Sequence, residues 1–126
     1  MKKIWKKIFR TKEMREYEKM AKKHRNELVS FDKESADFDY SYLHRYVVLK
    51  LKHMYEFYLA GNNVWQCDEK RDLVLKTLKH AIDIADEIDN VWSDKEICIY
   101  VEGDREEGLY KEFYSYIGEN IMWWWD

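Results

Sequence analysis

Proline is absent from this 126-residue sequence, and glycine occurs only four times. Proline ordinarily makes up about one residue in twenty, so its absence removes a common device for stopping a helix or fixing a turn. With so few glycines, few sharp turns are written either. Long helices joined by short connections are therefore favoured. The two cysteines, Cys67 and Cys98, form no C-x-x-C and are too few for a disulfide framework. They are expected to be small buried hydrophobes in a reduced, cytoplasmic compartment. No apolar run approaches the ~18 residues that a membrane span requires. The opening MKKIWKKIFR lacks the uninterrupted apolar stretch of a signal peptide. The four histidines, at 24, 44, 53 and 80, make no H-x-x-x-H or E-x-x-H pair, so no helical metal site is expected. A Gly-rich phosphate loop and a nucleophile elbow are also missing. The expectation is a protein without cofactor or metal that is not an enzyme.

What the sequence does contain is aromatic and charged. Aromatic residues make up 17% and hydrophobic residues 46%, which excludes a disordered chain, while the 37% of charged residues implies much solvated helical surface. The length fits one domain, 1–126, able to bury a core without metals or disulfides. The fold class expected is all-α, a bundle of about four helices.

Charge is distributed unevenly. Residues 1–25 hold eleven Lys/Arg against three Glu, and the remainder holds eleven Lys/Arg against twenty-two Asp/Glu. One reading packs the basic first helix on or beside the acidic remainder. The sharper one has it meet an anion such as a membrane, a nucleic acid or an acidic partner. Overall acidity disfavours nucleic acid.

The first helix is expected over 1–28, basic and amphipathic. Ile4, Trp5, Ile8 and Phe9 share one face, opposite a basic surface of Lys2, Lys3, Lys6, Lys7 and Arg10. The core helices are expected within 37–126. SFDKESADFD reads as an acidic connection, where Asp37 or Asp39 suits an N-cap. A second helix over about 40–60 carries Leu43, Tyr46, Val47, Leu51, Met54 and Tyr58 at three- and four-residue steps. A second apolar strip places it centrally or at an oligomer interface. Asp68 suits the cap of a third helix to about 91, with Leu73, Leu75, Leu78, Ile82, Ala85 and Ile88 as its core face. Its other face is acidic, with Asp83, Asp86, Glu87 and Asp89. Ser93-x-x-Glu96 has the form of a capping box, yet Ile97, Ile99 and Val101 alternate as in a strand. One short extended segment is expected near 97–101. The last helix, about 105–123, has a stripe of Phe113, Ile117, Ile121 and Trp124. At 100° per residue Trp123 falls on its rim and Trp125 points away.

Binding chemistry concentrates in DYSYLHRY and GNNVWQ. Tyr42, His44, Arg45, Asn62 and Trp65 are the candidate ligand-binding residues. Aromatic faces stack on bases, arginine holds phosphate, and amides read base edges. The same tyrosines also serve as packing in so aromatic a chain.

At DFDYSYL, LKLKHMYEFY and IGENIMWWWD, the chain resembles a family of small, mostly uncharacterised helical proteins of tailed bacteriophages. The resemblance covers about half the chain in separate pieces. It falls on Asp37, Asp39, Leu43, Lys50, Lys52 and Met54, and on Glu119, Asn120, Ile121, Trp124, Trp125 and Asp126. The third tryptophan and the basic first helix depart from it. It implies a phage origin and no chemistry. From it follows the expectation of a counter-defence protein in the infected bacterial cell, one that sequesters a nucleotide-like immune signal or blocks a host protein. The alternative is an assembly accessory acting through oligomerisation and the basic helix. The tail Trp123, Trp124, Trp125 and Asp126 is expected to dock as a plug or as the clasp of a homo-oligomer.

Overall fold

Asp39 opens the central helix from an extended backbone (φ −117°, ψ 117°), its carboxylate accepting the Ser41 N–H at 2.9 Å. That hydrogen bond holds the carboxyl below its ordinary range and satisfies a donor the helix cannot. The computed structural model describes residues 12–37, 39–60, 68–93 and 99–124. These form an all-α bundle of four helices, α1 (Lys12–Glu34), α2 (Tyr40–Leu59), α3 (Asp68–Ser93) and α4 (Ile99–Asn120), followed by a 3-10 turn, Ile121–Trp123. Among the described residues there is no strand. Contacts follow chain order: α1 packs on α2, α2 on α3, and α3 on α4.

The core lies along α3. Val74, Leu78, Ala81, Ala85 and Ile88 recur at steps of four and three and are almost inaccessible to solvent. They meet Leu51 and Tyr58 of α2 and Leu109 and Phe113 of α4. Leu78, Ile82, Ala85 and Ile88 of the expected face are buried, but at its N-terminal end Val74 is buried in place of Leu73, which is 50% exposed. A stripe wedged between two neighbours must centre on 74, 78, 81, 85 and 88, which leaves Leu73 on its outer edge. Leu43 and Tyr46, expected on the α2 core stripe, are exposed as well.

Three expected boundaries also shift. The first helix continues past residue 28 to Glu34, so Asp32 and Glu34 are helical rather than part of the connection. No glycine or proline interrupts VSFDKE, and the helix stops only where the Ser35 N–H and hydroxyl both donate to the Asp32 carbonyl. Asp68 lies in the first turn of α3, where with Glu69 it suits the positive helix end. Residues 99–101, expected to be extended, belong to α4. Alternating β-branched residues favour a strand only if a second strand pairs with them, and continuation of a packed helix is the available alternative. The remainder of that expected segment, residues 97 and 98, lies outside the described residues.

No helix among the described residues is long and apolar enough to cross a membrane. Of the described side chains of α1, none is fully buried. It lies along α2 by half-covered groups, including Tyr17 edge-on to Phe57 at 5.3 Å between centroids. Among the described residues its main packing partner is α2. With so little apolar burial, α1 should open well below the cost of global unfolding. Native-state hydrogen exchange is expected to show protection in 74–88 exceeding that in 12–34. Equal protection in the two would show that α1 belongs to the same cooperative unit.

Candidate functional site

Two histidines stack at the α1–α2 seam. The rings of His24 and His53 lie 3.9 Å apart between centroids and within 9° of parallel. Each reaches a carboxylate of the opposite helix: His24 Nε2 lies 3.0 Å from Glu56 Oε2, and His53 Nε2 lies 2.8 Å from Glu27 Oε2. A carboxylate only accepts, so each Nε2 carries the proton and donates it. Lys23 stands between the two acids, 3.8 Å from Glu27 and 3.7 Å from Glu56. Glu56 is held below its ordinary range, first by the His24 hydrogen bond and then by the charges of Lys23 and the imidazoles.

The sequence signal for this clasp is short and symmetrical. H-x-x-E occurs at His24–Glu27 and again at His53–Glu56. A spacing of three puts both groups on one helix face, and two antiparallel copies then meet imidazole to carboxylate. A search for E-x-x-H passes over it because the order is reversed. The clasp satisfies polar groups at a seam with little apolar area. Its two Nε2 atoms serve different carboxylates, and among the described residues no group of His, Cys, Asp and Glu is arranged to hold a metal ion. His53 Nδ1 is buried without a hydrogen-bond partner.

Around the clasp opens a cleft of about 300 Å3 between α1 and α2, walled by aromatic and aliphatic side chains and rimmed by Arg25 and Lys50.

The residues singled out from the sequence separate into three groups. Tyr42 and Arg45 come together, with the Arg45 guanidinium 5.6 Å from the Tyr42 ring centre and 5.7 Å from that of Phe31. These are cation–π contacts within the bundle, so Arg45 is partly engaged by its own chain. His44 is buried. Its Nδ1 lies 2.9 Å from the Tyr114 hydroxyl, and its ring packs edge-on to Tyr110 and Phe113. Burial pushes its pKa down, with Asp89 opposing weakly, so it is a neutral structural group. His44 and Arg45 still border one cleft of about 250 Å3, together with Phe31, Lys52 and Asp89. Asn62, Trp65, Cys67, Cys98, Trp125, Asp126 and the basic surface Lys2, Lys3, Lys6, Lys7 and Arg10 lie outside the described residues.

The tail divides at Trp124. The helix ends at Asn120, whose side-chain amide donates to the Tyr116 carbonyl at 2.9 Å. The 3-10 turn then packs three residues per turn instead of 3.6. Ile121, expected on the buried stripe, is exposed, while Trp124, which leaves the turn with a non-helical backbone (φ −88°, ψ 63°), is buried in the core. Its indole N–H donates to Thr77 Oγ1 at 2.8 Å, and the Thr77 hydroxyl in turn lies 2.9 Å from the Leu73 carbonyl. Met122 and Trp123 face solvent.

Compared with known proteins, the chain matches no family model, no curated protein and no solved structure.

Proposed function

We propose that this chain acts by binding rather than catalysis, as a phage counter-defence protein that blocks a host protein in the cytoplasm of the infected cell. The phage setting rests on the resemblance at DFDYSYL and IGENIMWWWD. The mode of action rests on one observation: on the first two turns of α2, Tyr40, Leu43 and Tyr46 are 62%, 68% and 45% exposed. Tyrosine beside arginine is the composition of binding hot spots, and Arg45 and Tyr42 adjoin these three. A leucine two-thirds exposed on a central helix contributes little to the core it belongs to. A second exposed strip, Ile121, Met122 and Trp123, is the surface assigned to self-association.

Plaque formation tests the reading. The wild-type chain, expressed in bacteria that carry a panel of defence systems, is expected to restore infection by a restricted phage. The variant Leu43→Glu with Tyr46→Glu should still fold, since Leu43 is mostly exposed and Tyr46 gives up only part of its surface to the Phe31 ring, and should fail to restore it. Restoration by the variant equal to wild type would remove the surface from consideration.

Nucleotide sequestration is the second reading, favoured by the convergence of His44, Arg45 and Lys52 on one cleft. At about 250 Å3 that cleft is below the usual size of a small-molecule site, and Asp89 in its wall repels phosphate. Native mass spectrometry of protein purified from signalling-active cells separates the readings. A retained adduct of nucleotide mass supports sequestration, and a bare oligomer or monomer removes it.

A further inference from the structure

The cleft between α1 and α2 has one-sided chemistry. Its polar lining is His24, Arg25, Lys50 and His53, and no carboxylate lines it. That is notable in a chain with 25 Asp and Glu against 22 Lys and Arg. Glu27 and Glu56, the acids that meet the two lining histidines, are held by the imidazoles and by Lys23. Arg25 and Lys50 are solvent-exposed, and neither has an ion-pair partner among the described residues. Lys23, Arg25 and Lys50 therefore stand against two acids, and the surplus charge is positive.

The rest of the wall is apolar and aromatic. Tyr17, Met20 and Leu28 come from α1, and Met54 and Phe57 from α2. Methionines adapt their shape to what they touch, and the Tyr17–Phe57 pair offers ring edges and faces at one side. A volume of about 300 Å3 is at the small end for ligand sites. It admits one ring or a short alkyl chain with a charged head, and it is too small for a dinucleotide. A purely apolar ligand would leave the two cations unpaired, and a cation would be repelled by them. Inorganic phosphate alone would leave the aromatic wall uncovered.

We propose that this cleft is a binding site for a small organic anion, a carboxylate or phosphate on a single aromatic ring or short alkyl body. Arg25 and Lys50 hold the head, and Met54, Phe57 and Tyr17 cover the body. The planar guanidinium of Arg25 suits either oxyanion as a two-toothed partner. The site is distinct from the docking surface at Tyr40, Leu43 and Tyr46 and does not depend on that reading.

The test is an amide-resolved NMR titration of the full chain with phenyl phosphate and with phenylacetate, using 2-phenylethanol and inorganic phosphate as controls. Saturable shifts confined to 17–28 and 50–58 are expected with both aromatic anions, and much weaker binding with both controls. Arg25→Gln with Lys50→Gln is expected to raise Kd about tenfold, the loss of two screened charge contacts. It should leave the melting temperature unchanged, because neither cation has a partner to lose. Leu43→Glu should leave anion binding as in wild type, which separates this site from the docking surface. Phenylethanol binding as tightly as phenylacetate would overturn the proposal, because the cleft would then be merely apolar. So would shifts that map elsewhere, or a double variant that binds like wild type.

Discussion

Replacing Trp124 with alanine is expected to destabilise the fold by about 3–5 kcal/mol, the range for removing a large aromatic side chain from a core. Trp123→Ala, one residue earlier, should stay within about 0.5 kcal/mol, as exposed substitutions do. The contrast follows from burial: Trp124 is 6% exposed and Trp123 is 59% exposed. Trp124 also anchors the chain beyond α4 by its indole hydrogen bond to Thr77. Thr77 is not orphaned by the change, since its hydroxyl keeps the Leu73 and Val74 carbonyls. The cost is therefore cavity and lost transfer rather than an unsatisfied donor. Truncation after Met122 should reproduce the Trp124→Ala loss in urea unfolding. Equal midpoints for the two single variants would show that the tail is not docked.

The second large effect is on pH dependence. Burial holds the His44 imidazole below its ordinary value of 6.5, so the unfolded chain binds a proton that the folded chain declines. Stability then rises with pH wherever the unfolded state carries more protons. The contribution of His44 is fully present above about 6.5 and is lost progressively as pH falls below it. One proton gives a slope of at most about 1.4 kcal/mol per pH unit. Glu56 acts in a separate window. Its pKa lies below the ordinary 4.5, so its contribution is present above 4.5 and is lost only as pH falls further. His44→Phe keeps a ring between Tyr110 and Phe113 and frees the Tyr114 hydroxyl, which is partly exposed and can hydrate. The difference in unfolding free energy between wild type and this variant should shrink or change sign in favour of the variant from about pH 7 to pH 5. A difference that does not move over that span would mean that His44 is not buried neutral.

Several of these features were legible in the sequence because they are local. The Asp39 cap was one of two candidates, and the span of α2 agrees within a residue at each end. Capping and periodicity depend only on neighbours within a turn or two. The acidic run after residue 28 misled because composition alone does not stop a helix, and Ser35 does so only through its two bonds to Asp32. The alternation through Ile99 and Val101 misled because a strand is a property of pairs, and among the described residues there is no second strand. His44 looked like a ligand-facing histidine beside Arg45. Its burial depends on Tyr110, Phe113 and Tyr114, which follow it by more than sixty residues.

By itself, then, the sequence determined the all-α class, the span and packing role of 40–59, and most of the core face of 68–93. Helix formation and apolar striping are set by spacings of three and four residues, which a single chain displays openly. The tertiary structure alone decided which histidines meet, that the two H-x-x-E motifs close on one another, and that Ile121, on the expected stripe of the last helix, faces solvent while Trp124 is core. Those outcomes depend on the register between helices and on the backbone by which the chain leaves the last one. A shift of one residue rotates a side chain by about 100°, and only the packing of the neighbours fixes which of the resulting faces is buried.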